Sequence, residues 1–119
     1  MKLAATLAFL MSMVMLQLQA QAQINIEAEM KPPVLVHKTE PVYTEDARKA
    51  RVEGAITLWA EIRTDGKPYA IRVTKGLGYG LNESAIKCLS EWRYRPGTAN
   101  GIPVTVPATI EIFFSLDSK

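Results

Sequence analysis

Two runs of alternating apolar and polar residues meet at a Thr64-Asp65-Gly66 turn, and this arrangement limits the fold more than any other feature of the sequence. Successive side chains of a strand point to opposite faces, so alternation predicts strands with one buried face. Asp-Gly is favoured in tight turns between antiparallel strands because glycine adopts positive φ without a steric penalty. The sequence therefore predicts a β-hairpin over residues 55–75. Its apolar positions are Ile56, Leu58, Ala60 and Ile62 in the first run and Tyr69, Ile71 and Val73 in the second.

A third alternating run spans residues 104–116 and predicts one long strand with a single buried face. Pro107 lies inside it and cannot donate a backbone hydrogen bond, which a sheet tolerates mainly at an edge. We therefore expect this last strand to have one open side. The apolar positions of the run are Val104, Val106, Ala108, Ile110, Ile112, Phe114 and Leu116.

Two segments have helix signals. In the first, Thr44 is a suitable N-cap, and Glu45 and Asp46 place negative charge at the positive end of the helix dipole. This short helix is expected to run to about Val52 and to be ended by Gly54. Asn82 is the expected N-cap of a second helix that runs to about Trp92. Cys88 lies on the apolar stripe of that helix, so we expect a buried thiol and not a reactive one.

The predicted elements follow the order αββαβ. A three-stranded antiparallel sheet with one apolar face has to be covered, and the two helices are the available cover. The sequence thus predicts an α+β fold, a two-layer sandwich that occupies residues 41–116. Residues 23–40 are expected to form a flexible or extended lead-in, with Pro32 and Pro33 interrupting regular strand pairing.

The N-terminus has the pattern of a secretory signal. A lysine is followed by an uncharged apolar run over residues 3–16 and by Ala20-Gln21-Ala22, a small-x-small cleavage site. This predicts a signal peptide at 1–22 and a periplasmic location. The alternative is an uncleaved anchor in the inner membrane, although a spanning helix needs about 20 apolar residues.

Charge and motif content favour a binding protein over an enzyme. Removing residues 1–22 takes one of 14 basic residues and none of 12 acidic ones, which leaves 13 against 12 and argues against nucleic-acid binding. One histidine and one cysteine form no metal-ligand cluster, and no nucleophile or phosphate-binding motif is present. We predict no catalytic residues, no cofactor and no small-molecule substrate.

The densest aromatic and basic cluster is Trp92-Arg93-Tyr94-Arg95-Pro96. Trp, Tyr and Arg are frequent at binding hot spots, so the cluster is a candidate contact patch. The alternative is that Trp92 and Tyr94 fix the end of the helix against the sheet while the arginines face solvent.

Several motifs, taken in order, resemble those of TonB C-terminal domains. Pro41, Tyr43, Ala47 and Arg48 match the P-x-Y-[PT]-x-x-A-[RK] start, and Gly54-Ala55-Ile56, Thr64-Asp65-Gly66 and the GLGYGL-N-x-x-A run continue the likeness. Residues 92–96 resemble W-[RK]-[FY]-x-P, and residues 101–104 resemble G-x-P-V. The apolar N-terminal run has no His or charge and no long proline-rich spacer follows it, so the chain resembles a stand-alone member.

The resemblance implies a protein-binding module linked to energy-dependent transport through outer-membrane receptors. A short receptor segment would add as a strand beside the last strand. The alternatives are a self-associating domain of the cell envelope, possible as a homodimer through the same strand, and an anchored energy transducer if the N-terminus is retained. The residues expected to contact the partner are Val104, Thr105, Val106, Ala108, Thr109, Ile110, Arg93 and Arg95.

Overall fold

The computed structural model describes residues 29–117, so the predicted signal peptide at 1–22 and residues 23–28 of the lead-in lie outside the described residues. The helices and strands follow the order β1 (Met30–Lys31), β2 (Val34–His37), α1 (Glu45–Lys49), β3 (Gly54–Ile62), β4 (Pro68–Lys75), α2 (Leu81–Glu91), β5 (Arg93–Arg95), β6 (Thr98–Ala99), β7 (Ile102–Pro103) and β8 (Val106–Phe114).

The main sheet has the strand order β4-β3-β8, with β3 antiparallel to both neighbours. Mixed α+β structure with antiparallel pairing agrees with the sequence. The β3–β4 turn closes as predicted: Gly66 has a φ of 79°, and the Arg63 N–H donates to the Lys67 carbonyl at 3.1 Å. Asp65 stabilises the same turn because its carboxylate accepts from the Lys67 N–H at 3.0 Å.

Helix α1 begins as predicted but ends early. The Thr44 hydroxyl accepts from the Ala47 N–H at 3.2 Å and caps the first turn. The helix stops at Lys49, and Arg51 has a φ of 54°, which turns the chain out of the helix. The expectation that the helix reaches Val52 and is ended by Gly54 is wrong, because Gly54 is the first residue of β3.

Helix α2 has a different N-cap from the predicted one. Gly80 occupies that position in the left-handed region, with a φ of 77° and no side-chain cap. The Asn82 side chain instead accepts from the N–H groups of Leu77 and Gly78, at 3.0 and 3.3 Å, and shapes the preceding loop. The helix ends at Glu91, one residue before the predicted Trp92.

The core lies between the main sheet and the two helices. Strand β3 crosses its centre, and Ile56 and Leu58 are fully buried there. Burial of such a side chain contributes about 1.5–3 kcal/mol, so this strand dominates the packing. Cys88 is 4% exposed, which confirms the expectation of a buried thiol. The core residues are Ala47, Ile56, Leu58, Ala60, Leu81, Ala85, Cys88, Leu89, Ile112 and Phe114.

Short strands that the sequence did not predict dock the lead-in against the segment after α2. Strand β2 pairs with β5, and β1 joins β6 and β7 in a small sheet. Gly97 allows this close approach, because a Cβ there would lie 3.0 Å from the Lys31 carbonyl oxygen and 2.7 Å from a Val106 methyl group. The described part of the lead-in is therefore hydrogen-bonded to the domain, beginning with Glu29, whose N–H donates to the Asn100 side chain at 2.9 Å.

Candidate functional site at the edge of the main sheet

Strand β8 forms one edge of the main sheet. Each of its residues has a partner on β3, from Val106 opposite Ile62 to Phe114 opposite Gly54, without a shift of register. Within residues 29–117, β8 pairs with β3 alone. One side of a straight strand is thus available for backbone hydrogen bonding.

The register of β3 shows which backbone groups of β8 face that open side. The Thr57 carbonyl accepts from the Thr74 hydroxyl of β4, and the Arg63 N–H bonds back to Lys67 just before β4. Odd-numbered residues of β3 therefore direct their backbone groups towards β4, and even-numbered ones direct them towards β8. Because the β3–β8 pairs match odd with odd, the backbone groups of Thr109, Glu111 and Phe113 point away from β3.

Pro107 falls on the open side by the same rule. It pairs with Glu61, an odd-numbered residue, so its missing N–H costs the β3–β8 ladder no hydrogen bond. The same geometry removes one donor from the open edge. An added strand therefore finds its donors at Thr109, Glu111 and Phe113.

A groove of about 160 Å³ borders the open edge near its C-terminal end. The lead-in forms one wall, and the Trp92 indole is held there because its Nε1–H donates to the Thr39 carbonyl at 3.0 Å. The groove gives access to the edge and also to the face of β8 that packs on the helices. Its lining residues are Lys38, Thr39, Glu40, Pro41, Trp92, Glu111, Ile112 and Phe113.

The outer face of β8 is exposed. The side chains of Thr109, Glu111 and Phe113 lie on the face opposite the helices, and Phe113 is 69% exposed. The side chains of Glu111, Glu40 and Lys38 make no hydrogen bond or ion pair with any other described residue. The groove is thus bordered by two unpaired carboxylates and one unpaired ammonium group.

The residues predicted to contact a partner are divided between two places. Thr109 is the predicted residue whose backbone faces the open side, while the backbone groups of Val106, Ala108 and Ile110 face β3. Val104 and Thr105 precede β8, where the Val104 N–H donates to the Gly97 carbonyl at 2.9 Å. Sequence alternation assigns residues to faces of a sheet but not to its hydrogen-bonding sides, so it did not single out Glu111 or Phe113.

The two predicted arginines lie on β5, away from the edge of the main sheet. Arg93 pairs with His37, and its guanidinium donates to the carbonyls of Ser90 and Trp92 at 2.9 and 2.7 Å. Ser90 lies in the last turn of α2 and Trp92 just after it, where a cation is favourable. Arg95 pairs with Val34 and is exposed.

The opposite edge of the sheet, β4, is irregular. Its register against β3 shifts twice, and Ala70 has a φ of 54° at one of the shifts. The Arg72 guanidinium lies 4.3 Å from the centre of the Trp59 ring and covers part of the outer sheet face. Bulges and charged side chains of this kind protect an edge strand from further pairing.

The pKa shifts concern one aspartate and three tyrosines, and the residues of the open β8 edge are not among them. A hydrogen bond from the Tyr69 hydroxyl, at 2.5 Å, lowers the pKa of Asp65, and the Lys67 N–H adds to the effect. The same bond raises the pKa of Tyr69. Burial raises the pKa values of Tyr43 and Tyr94. Asp65 and Tyr69 lie at the β3–β4 turn, so the pKa shifts of these two residues arise within the hairpin.

Besides the β8 groove, the described part of the chain has a second cavity, but no metal-ligand cluster and no membrane-spanning helix. A larger cavity of about 440 Å³ lies between residues 40–44 and α2, with Glu83, Lys87 and Glu91 at its rim. Across residues 29–117 no group of His, Cys, Asp or Glu side chains could hold a metal ion. In the same range no helix has the length and apolar character needed to cross a membrane.

Comparison with known proteins identifies relatives of this domain. Residues 39–116 match the family model described as Gram-negative bacterial TonB protein C-terminal. Protein TonB of Vibrio cholerae serotype O1 is 26% identical over 88 residues, which are 73% of this chain and 36% of that protein. The chain thus spans about a third of that relative's length. The solution structure of the Pseudomonas aeruginosa TonB C-terminal domain matches with a TM-score of 0.57 at 22% identity, covering 80% of this chain and 94% of that one.

Proposed function

The chain belongs to the TonB C-terminal family, and from that premise we propose that it is a periplasmic module that binds a short extended segment of an outer-membrane receptor and takes part in energy-dependent transport. The segment adds as a strand along the open side of β8. Backbone hydrogen bonds provide much of the affinity in this mode of recognition, and flanking side chains provide selectivity.

The observation that supports this proposal is the regular, unpaired edge of β8. Its outward N–H groups at Thr109, Glu111 and Phe113 are placed for ladder hydrogen bonds, and the groove beside Trp92 leaves room for an incoming chain. A straight strand with free donors and acceptors is a template for another chain. The bulges of β4 make that edge a poor alternative.

Amide chemical shifts of the ¹⁵N-labelled full chain test the proposal. A synthetic peptide that copies the periplasm-facing N-terminal segment of an outer-membrane receptor from the same organism serves as the probe. We expect larger shifts at Thr109, Glu111 and Phe113 than at Ala108 and Ile110, because the latter already donate to β3. Shifts confined to α2 or β4 would contradict strand addition at β8.

The same edge also supports a second candidate, pairing of β8 with its copy in a homodimer, because an unpaired strand is self-complementary. Light scattering over a concentration series separates the two. A monomer at all concentrations excludes self-association, whereas a dimer whose formation is inhibited by the receptor peptide indicates that both use one edge.

Whether the N-terminus is cleaved decides between a free periplasmic module and a membrane-anchored transducer. We propose cleavage after Ala22, on the signal-like order of charge, apolar run and small residues. N-terminal sequencing of the exported protein is the direct test, and an intact Met1 would support the anchored form.

A further inference from the structure

We infer that the β8 edge selects a segment with a cationic side chain opposite Glu111 and an aliphatic residue opposite Ile112. This inference rests on the proposed strand addition and specifies the chemistry of the partner. It starts from the limits that Pro107 sets. Because Pro107 lacks a donor, the ladder forms between Thr109 and Phe113, and Glu111 is the middle of the three residues of β8 whose N–H groups face outwards.

The position of Glu111 determines the charge preference. Its side chain is exposed on the outer sheet face, and among residues 29–117 it has no ion-pair partner. The residue of an added strand that lies directly opposite must place its side chain on the same face, within cross-strand contact. Glu40 is a second unpaired carboxylate at the same groove, against the single ammonium group of Lys38, so the net charge there is negative.

The groove determines the neighbours of that cation. The neighbour of the cation that lies opposite Ile112 points to the inner face, where the groove is lined by Trp92, Pro41 and the buried Ile112. A volume of about 160 Å³ accommodates an aliphatic side chain. Two positions from the cation, the outer face presents the exposed ring of Phe113, which favours a β-branched residue such as threonine.

The remaining titratable groups around the groove do not reverse this preference. His37 and Arg93 pair with each other across β2 and β5, and the Arg93 guanidinium is bonded to the end of α2. Among the acids and bases that line the groove, Lys38 is the one cation present in the described chain.

Three fluorescent peptides of alternating Thr and Val, which differ only in a central Lys, Gln or Glu, test the inference by anisotropy on the full chain. At low salt we expect the Lys peptide to bind about three- to tenfold more tightly than the Glu peptide, with Gln between them. The difference should disappear near 1 M salt, where the Debye length falls to about 3 Å.

Variants identify the group responsible. Glu111→Lys should reverse the order of affinity of the three peptides. Glu111→Gln should reduce the difference in affinity between the Lys and Glu peptides to less than about threefold. Glu83→Gln, which removes an exposed acid from the start of α2, should leave the order unchanged. Equal affinities for the Lys and Glu peptides, with amide shifts along residues 109–113, would overturn the charge selectivity and leave the strand addition intact. Absence of shifts along β8 for all three peptides would instead overturn the strand addition.

Discussion

Strands β4 and β8 both flank β3, yet they present different edges. β8 follows β3 residue by residue, whereas β4 contains extra residues at two register shifts and a left-handed alanine at position 70. On the outer face, Arg72 of β4 packs over the Trp59 ring, whereas Phe113 of β8 is exposed. β4 also carries two charged residues, Arg72 and Lys75, where β8 carries one, Glu111. Backbone regularity and charge together therefore distinguish an edge that can accept a strand from one that cannot.

Proline substitutions along β8 give the largest expected effect and could refute the assignment of its open side. Ile110→Pro removes an N–H that bonds to β3 and should lower the free energy of unfolding by about 3 kcal/mol or more. Thr109→Pro removes an outward N–H and should cost less than about 1 kcal/mol, as Pro107 already occupies an equivalent position. Chemical denaturation measures both. Equal losses for the pair would show that the open side is wrongly assigned.

The β3–β4 turn is expected to give the next largest effect, because the end of the hairpin is held by β5. The Tyr94 N–H donates to the Gly66 carbonyl at 2.8 Å, and a Cβ on Gly66 would lie 2.1 Å from the Tyr94 carbonyl oxygen. Gly66→Ala should therefore destabilise by about 2 kcal/mol or more, from strain and steric overlap together. Gly101→Ala is the matched control, with a similar φ of 81° and open space around it. A similar cost for both variants would indicate that the contact with β5 contributes nothing.

The bulge of β4 predicts a smaller change of opposite sign. Ala70 has a φ of 54°, where an L residue with a Cβ is strained. Ala70→Gly should raise the free energy of unfolding by about 0.5–1 kcal/mol. Ala55→Gly, in the regular strand β3, should lower it by a similar amount. Thermal denaturation provides the comparison, and destabilisation by Ala70→Gly would argue against the bulge.

The smallest effect is a titration at the hairpin. Tyr69→Phe removes the hydroxyl that lowers the pKa of Asp65, so that pKa should rise towards its usual value. A lowered folded-state pKa stabilises the protein above the unfolded pKa, and this stabilisation is lost as pH falls through the folded value. The variant should therefore show a weaker dependence of stability on pH below about pH 4. NMR titration of the Asp65 carboxyl measures the change, and Tyr79→Phe, at an exposed loop tyrosine, should leave it unaltered.

The sequence predicted features that depend on local residue chemistry. Alternation and Asp65-Gly66 located the hairpin, Thr44 was recognised as a cap, and Pro107 indicated an open side of the last strand. Each of these residue types has a strong conformational or hydrogen-bonding preference of its own.

Features that depend on tertiary contacts were missed. Asn82 is a good cap by type, but its side chain holds the loop at Leu77 and Gly78, and Gly80 begins the helix. Arg51 and Ala70 adopt positive φ, which neither residue type signals. Strands of two to four residues such as β2 are too short to show a period. The outward backbone groups of Glu111 and Phe113 became visible only through the register with β3.

The placement of Cys88 has a practical consequence. Its sulfur donates to the Thr39 carbonyl at 3.1 Å, in the lead-in that also borders the β8 groove, and the residue lines the larger cavity beside α2. It is the single cysteine of the chain. The residue is 4% exposed, so its rate of alkylation should rise with any opening of the lead-in against α2. Alkylation of this native thiol would therefore report on opening around α2 without an engineered label.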